Sequence, residues 1–361
     1  MKLFVTIYQM QEGGAARVTT TMINGLADKG FDIVLCTDTA YYSVFYPISD
    51  KVKIVSYNPK PIKQNKYVHM TKAVIQMRKF IKEEKPDVVI GVESIFYFLI
   101  NIACRGLHIP VVAVDHTSMG RDQGKLINWI RHKYYDTSAA LSILTHKDEL
   151  ILGETIPQKR VIHNPLSFTP LSTPTVRDKT VLCVGRLNVW KVKGFDLMLD
   201  IWQRVAPSHP DWILEIAGDG TADSISKVES MISERGLNGK VRLLGQVSDI
   251  CSLYQKTSIF ALSSRVEGFP MGLAEAMSQG CSCIAFSVQG AVNEIFGDEA
   301  LGIIVKDGDI ESFSQELSKL ISASSEYRNE LGQRAIARSK DFSVEAFISK
   351  WIKLIYEITN N

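Results

Sequence analysis

The sequence predicts an α/β protein of two doubly wound domains, each built on a parallel sheet. Three observations lead there. Apolar strand-length runs alternate with helix-length segments throughout, and the runs are apolar on both alternating faces, as in a sheet covered on each side. The alternation breaks once, at His163–Val176 (HNPLSFTPLSTPTV), where three prolines among Ser and Thr disfavour a packed helix, and it restarts at Thr180. A chain of 361 residues is long for one core and comfortable for two.

The elements follow in order. The first series reads as strands Leu3–Ile7, Ile33–Thr37, Lys53–Ser56, Val88–Gly91, Val111–Asp115 and Ala140–Leu144, with helices Ala15–Lys29, Val68–Glu84, Ile95–Arg105 and Lys125–Asp136 between them. The second reads as strands Val181–Gly185, Ile213–Gly218, Val241–Leu244, Ile259–Ser263, Cys283–Phe286 and Gly302–Val305, with helices near Phe195–Val205, Ser224–Arg235, Met271–Gln279 and Ile310–Ile321. At the end, Val344–Ile358 places Phe347, Trp351, Leu354 and Ile355 on one helical face. The domains are therefore drawn at 1–163 and 179–342, with a linker at 164–178. Two such sheets predict a central cleft that both face, because ligands of open α/β sheets bind beyond the carboxyl ends of the strands.

Composition narrows the class. Hydrophobic residues make up 45% and charged residues 22%, the mix of a soluble globular protein. Six scattered cysteines, Cys36, Cys104, Cys183, Cys251, Cys281 and Cys283, form no disulfide or zinc-like framework, which points to a reducing compartment. The apolar start, Leu3–Tyr8, is too short for a signal peptide, and no run approaches about 20 apolar residues. Net charge is +2, but residues 1–170 carry 21 basic and 15 acidic side chains and the remainder 20 and 24. The basic half suits an anionic lipid or diphosphate partner, and it equally suits ordinary surface charge. Near-balanced charge without one basic stripe argues against nucleic acid.

The strongest motif is Glu267-Gly-Phe-Pro-Met-Gly-Leu-Ala-Glu275, which leaves a strand and enters a helix. Gly268 and Gly272 let backbone approach a ligand, and free N–H groups of Met271, Gly272 and Leu273 at the helix mouth suit a diphosphate. Glu275, one turn in, suits ribose hydroxyls; Glu267, on the loop, suits sugar hydroxyls. The pair alone also fits a capped core helix. The second motif, Gly185-Arg186-Leu-Asn-Val-Trp-Lys191-Val-Lys193-Gly194, follows the first strand of the second domain. Arg186 and Lys193 would neutralise a diphosphate there without metal, whereas a solvated basic loop would look much the same. Gly13-Gly14, with Arg17 one turn on, is a glycine turn that lacks the full G-x-G-x-x-G fingerprint. His116 stands at a carboxyl strand end, beside Asp115, which is suited to orienting a loop. Gly218-Asp219-Gly220 and Gly245-Gln246-Val247 end two further strands, where backbone groups would hold a base or simply turn. Asp307-Gly308-Asp309 reads as a turn rather than a metal site.

Taken together, GGAAR, VDH, NP, VGRLNVWKVKGFDLML, AGDG and EGFPMGLAEAM resemble the retaining glycosyltransferases of family 4, of the GT-B fold with two Rossmann-like domains. The resemblance spans nearly the whole chain. It implies that Arg186 and Lys193 bind the donor diphosphate. Glu267 and the backbone of Gly268, Phe269, Pro270, Met271, Gly272 and Leu273 hold sugar and phosphate, and Glu275 holds ribose. Gly218 and Val247 join the donor-binding set. Gly14 approaches the phosphate from the other domain, Gly13, Arg17 and His116 meet the acceptor, and His116 lies beside the transferred sugar. The C-terminal helix, 343–359, crosses back onto the first domain. Ala16, where the family often has an acid, and Trp190-Lys191 depart from the pattern.

The resemblance further implies a hexosyltransferase that retains the anomeric configuration and needs neither metal nor cofactor. It would move a hexose or N-acetylhexosamine, from UDP most commonly, to a saccharide acceptor in cell-surface polysaccharide or lipopolysaccharide synthesis. No carboxylate is an obvious nucleophile, so same-face displacement assisted by the leaving diphosphate is expected. Two basic, aromatic-bearing stretches, Lys60–Lys82 (with Lys63, Lys66, His69, Lys72, Arg78 and Lys79) and Lys125–Tyr135, suit peripheral attachment to an anionic membrane surface and a lipid-diphosphate-linked acceptor. They suit a solvated helix face as well. The expected location is cytoplasmic, at the inner face of the membrane. The alternatives are a nucleotide-sugar epimerase or hydrolase on the same fold, and transfer to a soluble small acceptor.

Overall fold

We describe the protein from a computed structural model, whose described residues are 1–58, 66–156, 158–173, 175–288, 291–297 and 301–360, with backbone alone at 66 and 67. Lys60 and Lys63 of the first basic stretch, the Lys66 side chain and Pro174 of the linker lie outside them. The chain divides into two compact units, Met1–Pro165 with Val344–Asn361, and Leu166–Ser343.

Unit 1 holds seven strands: β1 (Lys2–Thr6), β2 (Asp32–Thr37), β3 (Val52–Ser56), β4 (Val88–Val92), β5 (Val111–Val114), β6 (Ala140–Ile143) and β7 (Lys159–Val161). Its helices are α1 (Gly14–Asp28), α2 (Lys66–Glu84), α3 (Ser94–Cys104), α4 (Lys125–Lys133) and α5 (His146–Leu152). The strands are parallel in the order β3-β2-β1-β4-β5-β6-β7, so the winding direction reverses between β1 and β4. Period-two alternation sends Leu3, Val5, Ile33, Leu35, Val88 and Ile90 to one face and Phe4, Val34, Cys36 and Val89 to the other. The first face is covered by α1 and by α14 (Val344–Thr359), whose Phe347, Ile348, Trp351, Leu354 and Ile355 are buried in the same core. The second is covered by α2, α3 and α4.

Unit 2 holds β8 (Asp178–Val184), β9 (Ile213–Ala217), β10 (Val241–Gly245), β11 (Thr257–Leu262), β12 (Ser282–Phe286) and β13 (Ile303–Val305). Its helices are α6 (Trp190–Lys193), α7 (Phe195–Val205), α8 (Ala222–Glu234), α9 (Ile250–Lys256), α10 (Met271–Ser278), α11 (Ala291–Phe296), α12 (Ile310–Ser322) and α13 (Ser325–Ser339). The parallel order is β10-β9-β8-β11-β12-β13, with reversal between β8 and β11. The carboxyl-end loops carrying Val247, Gly218, Arg186 and Glu267 thus follow four adjacent strands.

Several elements differ from the sequence expectation. β7 was not anticipated, because Lys159 and Arg160 give it no apolar run. The segment expected as one helix over Lys125–Asp136 ends at Lys133 and closes with a 3-10 turn at Tyr135–Thr137. α13, also unanticipated, is polar around most of its circumference and buries only a narrow stripe that includes Leu331, Ala335 and Ile336. All six cysteines are free thiols.

Candidate active site

In unit 2, the chain leaves β8 through Gly185 and Arg186 and makes a 3-10 turn at Leu187–Val189, then the single turn α6. It reaches α7 through Gly194, whose φ of 66° is a left-handed value that lets α6 stop and α7 start at once. A Cβ on Gly194 would stand 1.9 Å from the Ser263 carbonyl, so backbone alone fits between this turn and the loop after β11. Gly218, with φ 147°, makes the same kind of approach to the Gly185 carbonyl, where a Cβ would stand at 2.1 Å. These two contacts bring the ends of β9, β8 and β11 into register.

Lys193 folds its stem over Gly185 and reaches Glu267, with Nζ donating to Oε1 at 2.8 Å. Ser264 Oγ donates to the same oxygen at 2.7 Å. The pair is partly open, with the side chains 26% and 11% exposed. Two neighbouring bonds fix its loop: Arg265 grips Asp196 with both terminal nitrogens, at 2.7 and 2.8 Å, and donates to the Lys191 carbonyl at 2.6 Å. The guanidinium pulls the Asp196 carboxyl below its ordinary value against the opposing effect of burial, which is the largest influence on it. Arg186 is exposed on the adjacent strand end, and its side chain has no partner among the described residues. Lys191 is exposed as well. Asn188 accepts from the Thr221 amide and the Ser224 hydroxyl, tying the turn to the loop after β9.

The Glu267–Glu275 segment differs from expectation at its helix mouth. Met271 N–H donates to the Phe269 carbonyl at 2.8 Å and Leu273 N–H to Pro270 at 3.0 Å, so neither is free. The turn tightens before α10 and satisfies its own donors. Among the described residues, the Gly272 amide alone of the three has no acceptor. Phe269, Pro270 and Leu273 bury their side chains, Phe269 edge-on to Phe342, so only their backbones can meet a ligand. Gly268 and Met271 are half-buried. Glu275 is 5% exposed: its carboxylate accepts from Ser167 Oγ at 2.5 Å and Tyr254 OH at 3.4 Å. Val247 is half-buried beyond the edge strand β10.

In unit 1, α1 opens at Gly13, whose carbonyl accepts from Arg17 N–H at 3.0 Å. Gly13 is extended and Gly14 helical, and a Cβ on either would meet nothing within 4 Å. No internal crowding demands glycine here; the Gly13 amide donates to Tyr46 OH at 3.4 Å, and Gly14 is exposed. Arg17 is half-buried.

His116 sits in a loop held by a buried ion pair. Arg131 Nε and Nη2 donate to the two Asp115 oxygens at 3.0 and 3.1 Å, and Tyr135 OH and Ser94 Oγ donate to Oδ2 at 2.7 and 3.1 Å. Asp115 Oδ1 accepts the Thr117 amide at 2.9 Å, closing the loop around His116. Arg131, expected on the basic surface, is only 5% exposed and belongs to this network. Burial pulls the His116 imidazole down to about 4, opposed by the Asp115 charge and by the side chain of Asn164. Sequence reading gave Asn164 no role; its place beside a proline in the linker was the only signal. Arg265 and Asp196 carried none, because they lie 69 residues apart, and Ser264, three residues before Glu267, was given no role.

Asp307 and Asp309 serve the backbone: Asp307 accepts from the Val288 amide at 2.6 Å and Asp309 caps α12 at Ser312.

Each unit has one winding reversal in its parallel sheet, with charged side chains on the loops at the carboxyl edge, the place where open α/β sheets take ligands. Comparison with known proteins makes this specific. Residues 12–165 match the model described as Glycosyltransferase Family 4, and residues 172–338 match Glycosyl transferases group 1. The chain belongs to glycosyltransferase family 4 and has the GT-B fold. The Campylobacter jejuni GalNAc-alpha-(1->4)-GalNAc-alpha-(1->3)-diNAcBac-PP-undecaprenol alpha-1,4-N-acetyl-D-galactosaminyltransferase is 28% identical over 100% of this chain and 99% of its own. The Salmonella typhimurium lipopolysaccharide 1,6-galactosyltransferase is 28% identical over 76% and 77%. The Anabaena HepE structure in complex with UDP and glucose superposes with a TM-score of 0.79 at 15% identity, covering 99% of this chain and 100% of that one.

Proposed function

We propose that the protein transfers a hexose or N-acetylhexosamine from a UDP-sugar to a saccharide carried on a lipid diphosphate, with retention at the anomeric carbon and without metal. The observation that carries this reading is the Lys193–Glu267 pair at the reversal point of the second sheet, 2.8 Å apart and partly open, with glycine backbone on two sides. An ammonium already positioned there stabilises charge as it develops on a leaving diphosphate. Arg186, exposed on the neighbouring strand end, supplies a second cation. Glu267 is assigned the sugar hydroxyls, the Gly272 amide a phosphate oxygen, and Glu275 the ribose, once its bonds to Ser167 and Tyr254 are exchanged.

In same-face displacement the bond from the anomeric carbon to the diphosphate oxygen breaks as the acceptor oxygen bonds that carbon from the same side. The acceptor proton passes to the departing diphosphate. His116, neutral at physiological pH, is assigned a hydrogen bond to the transferred sugar.

Lipid linkage of the acceptor is supported by the Campylobacter relative and by α4. Its outer face exposes Lys125, Leu126, Trp129, His132 and Lys133, with Leu126 49% and Trp129 44% exposed. Val68, Lys72, Ile75 and Lys79 do the same on α2. Among the described residues no helix is long and apolar enough to cross a membrane. We place the protein in the cytoplasm, peripherally at the membrane surface, in cell-surface polysaccharide or lipopolysaccharide synthesis. The test is transfer from labelled UDP-hexoses to polyprenyl-diphosphate saccharides in excess chelator, with the anomer of the product read by NMR. Lys193→Ala and Glu267→Ala should each lower turnover by about 100-fold or more while the fold is kept. Wild-type turnover in both folded variants, or UDP release without a glycosylated product, overturns the reading.

A further inference from the structure

The chain enters unit 2 along α10, the helix that carries Glu275. Leu166, the first residue of the unit, donates its N–H to the Phe342 carbonyl at 2.8 Å. Three bonds then fasten the segment to α10 and its end. Ser167 Oγ donates to Glu275 Oε1 at 2.5 Å, Gln279 Nε2 donates to the Thr169 carbonyl at 3.0 Å, and Leu171 N–H donates to the Ser278 carbonyl at 2.8 Å. Phe168 adds a ring contact with Tyr254, 6.0 Å between centroids. The bonds at Thr169 and Leu171 use the segment's main chain. The bond at Ser167 needs a hydroxyl side chain, and it takes an oxygen of the carboxylate assigned to ribose.

The burial of the three groups says where that hydroxyl lies. Glu275 is 5% exposed, so few directions lead to its carboxylate. Tyr254, which donates to Oε2, is fully buried, whereas Ser167, which donates to Oε1, is exposed. Ser167 therefore covers the carboxylate on its solvent side, the side from which a nucleotide arrives. Its group is also the chemical equivalent of a ribose hydroxyl: an aliphatic O–H at the length of a charge-assisted bond to a carboxylate oxygen. Two such hydroxyls cannot hold the same place.

We propose that Ser167 is a built-in competitor for the nucleotide's ribose, which it must leave for a donor to bind, and that its departure unfastens the segment joining the two units. This rests on the assignment of Glu275 to ribose. One hydroxyl–carboxylate bond is then exchanged for another, so the ribose hydroxyls add less to affinity than they would against a carboxylate without this serine. Ser167 thus sets donor affinity, and the fastening of residues 166–171 reports whether a donor is bound.

The test is titration calorimetry of UDP and of 2′,3′-dideoxy-UDP into the full chain, wild type and Ser167→Ala, with amide hydrogen exchange on the same proteins. Ser167→Ala should bind UDP about three- to tenfold more tightly, because the competing bond is gone. It should bind the dideoxy nucleotide like the wild type, because a ligand without hydroxyls leaves the serine in place. Amides between Leu166 and Leu171 should exchange faster in the wild type when UDP is added, and already faster in Ser167→Ala without nucleotide. Equal or weaker UDP binding in Ser167→Ala overturns the proposal, since the serine would then orient the carboxylate rather than compete for it. An equal gain for both nucleotides overturns it as well, and so does unchanged exchange in the segment. Failure of the donor reading looks different: Glu275→Ala would bind UDP as tightly as the wild type, or the wild type would not bind it. The nucleotide-free exchange comparison still reads the Ser167 fastening in that case.

Discussion

His116 shows how much a single side chain depends on its surroundings. An imidazole lowered from 6.5 to about 4 by burial is neutral in the folded protein at every pH above that value. In the unfolded chain it protonates near its ordinary value, so between about pH 6.5 and 4 the unfolded state binds the extra proton. Stability therefore falls as pH drops through this window and levels off below it, by up to about 3 kcal/mol from this group. Urea unfolding of His116→Gln should show a shallower acid slope than the wild type over the same range; identical slopes would remove the burial argument. The residue was legible in the sequence as a strand-end histidine. Its low proton affinity was not, because it comes from burial by the folded chain, which the neighbouring Asp115 charge and the Asn164 side chain only oppose.

At the scale of elements, the sequence announced those with strong apolar periodicity. α7 falls at Phe195–Val205, the residues anticipated, and the core strands lie within a few residues of theirs. It concealed β7 and α13, whose side chains are mostly polar and whose place is decided by neighbours. The turn α6–Gly194–α7 follows from local rules plus one close contact, and its tolerance to change is predictable. Gly194→Ala combines a left-handed φ with a Cβ 1.9 Å from the Ser263 carbonyl, so it should cost about 2–3 kcal/mol by denaturant unfolding. A change within about 0.5 kcal/mol would mean that the turn accommodates a side chain. α4 carries a different consequence. Its exposed Leu126 and Trp129, flanked by Lys125 and Lys133, should bind phosphatidylglycerol vesicles at low salt, and Trp129→Ser with Lys133→Glu should release the protein. Absence of the wild type from sedimented vesicles would favour a soluble acceptor.

For the whole molecule, two winding reversals decide where chemistry can occur, and both were implicit in the β-α-β-α rhythm on either side of the proline-bearing linker. The motif residues of the second half fall on loops after adjacent strands, which is why they could be read together before any geometry was known. What could not be read was which of their atoms are already engaged: the Met271 and Leu273 amides and the Glu275 carboxylate have protein partners, whereas Arg186 does not among the described residues. The account stands on Lys193 holding a diphosphate beside Glu267. Isothermal titration of UDP into the full chain, in excess chelator, tests it most directly. Wild-type protein should bind, and Lys193→Ala should bind about 100-fold more weakly with its unfolding midpoint unchanged. Equal affinity in the two proteins would contradict it.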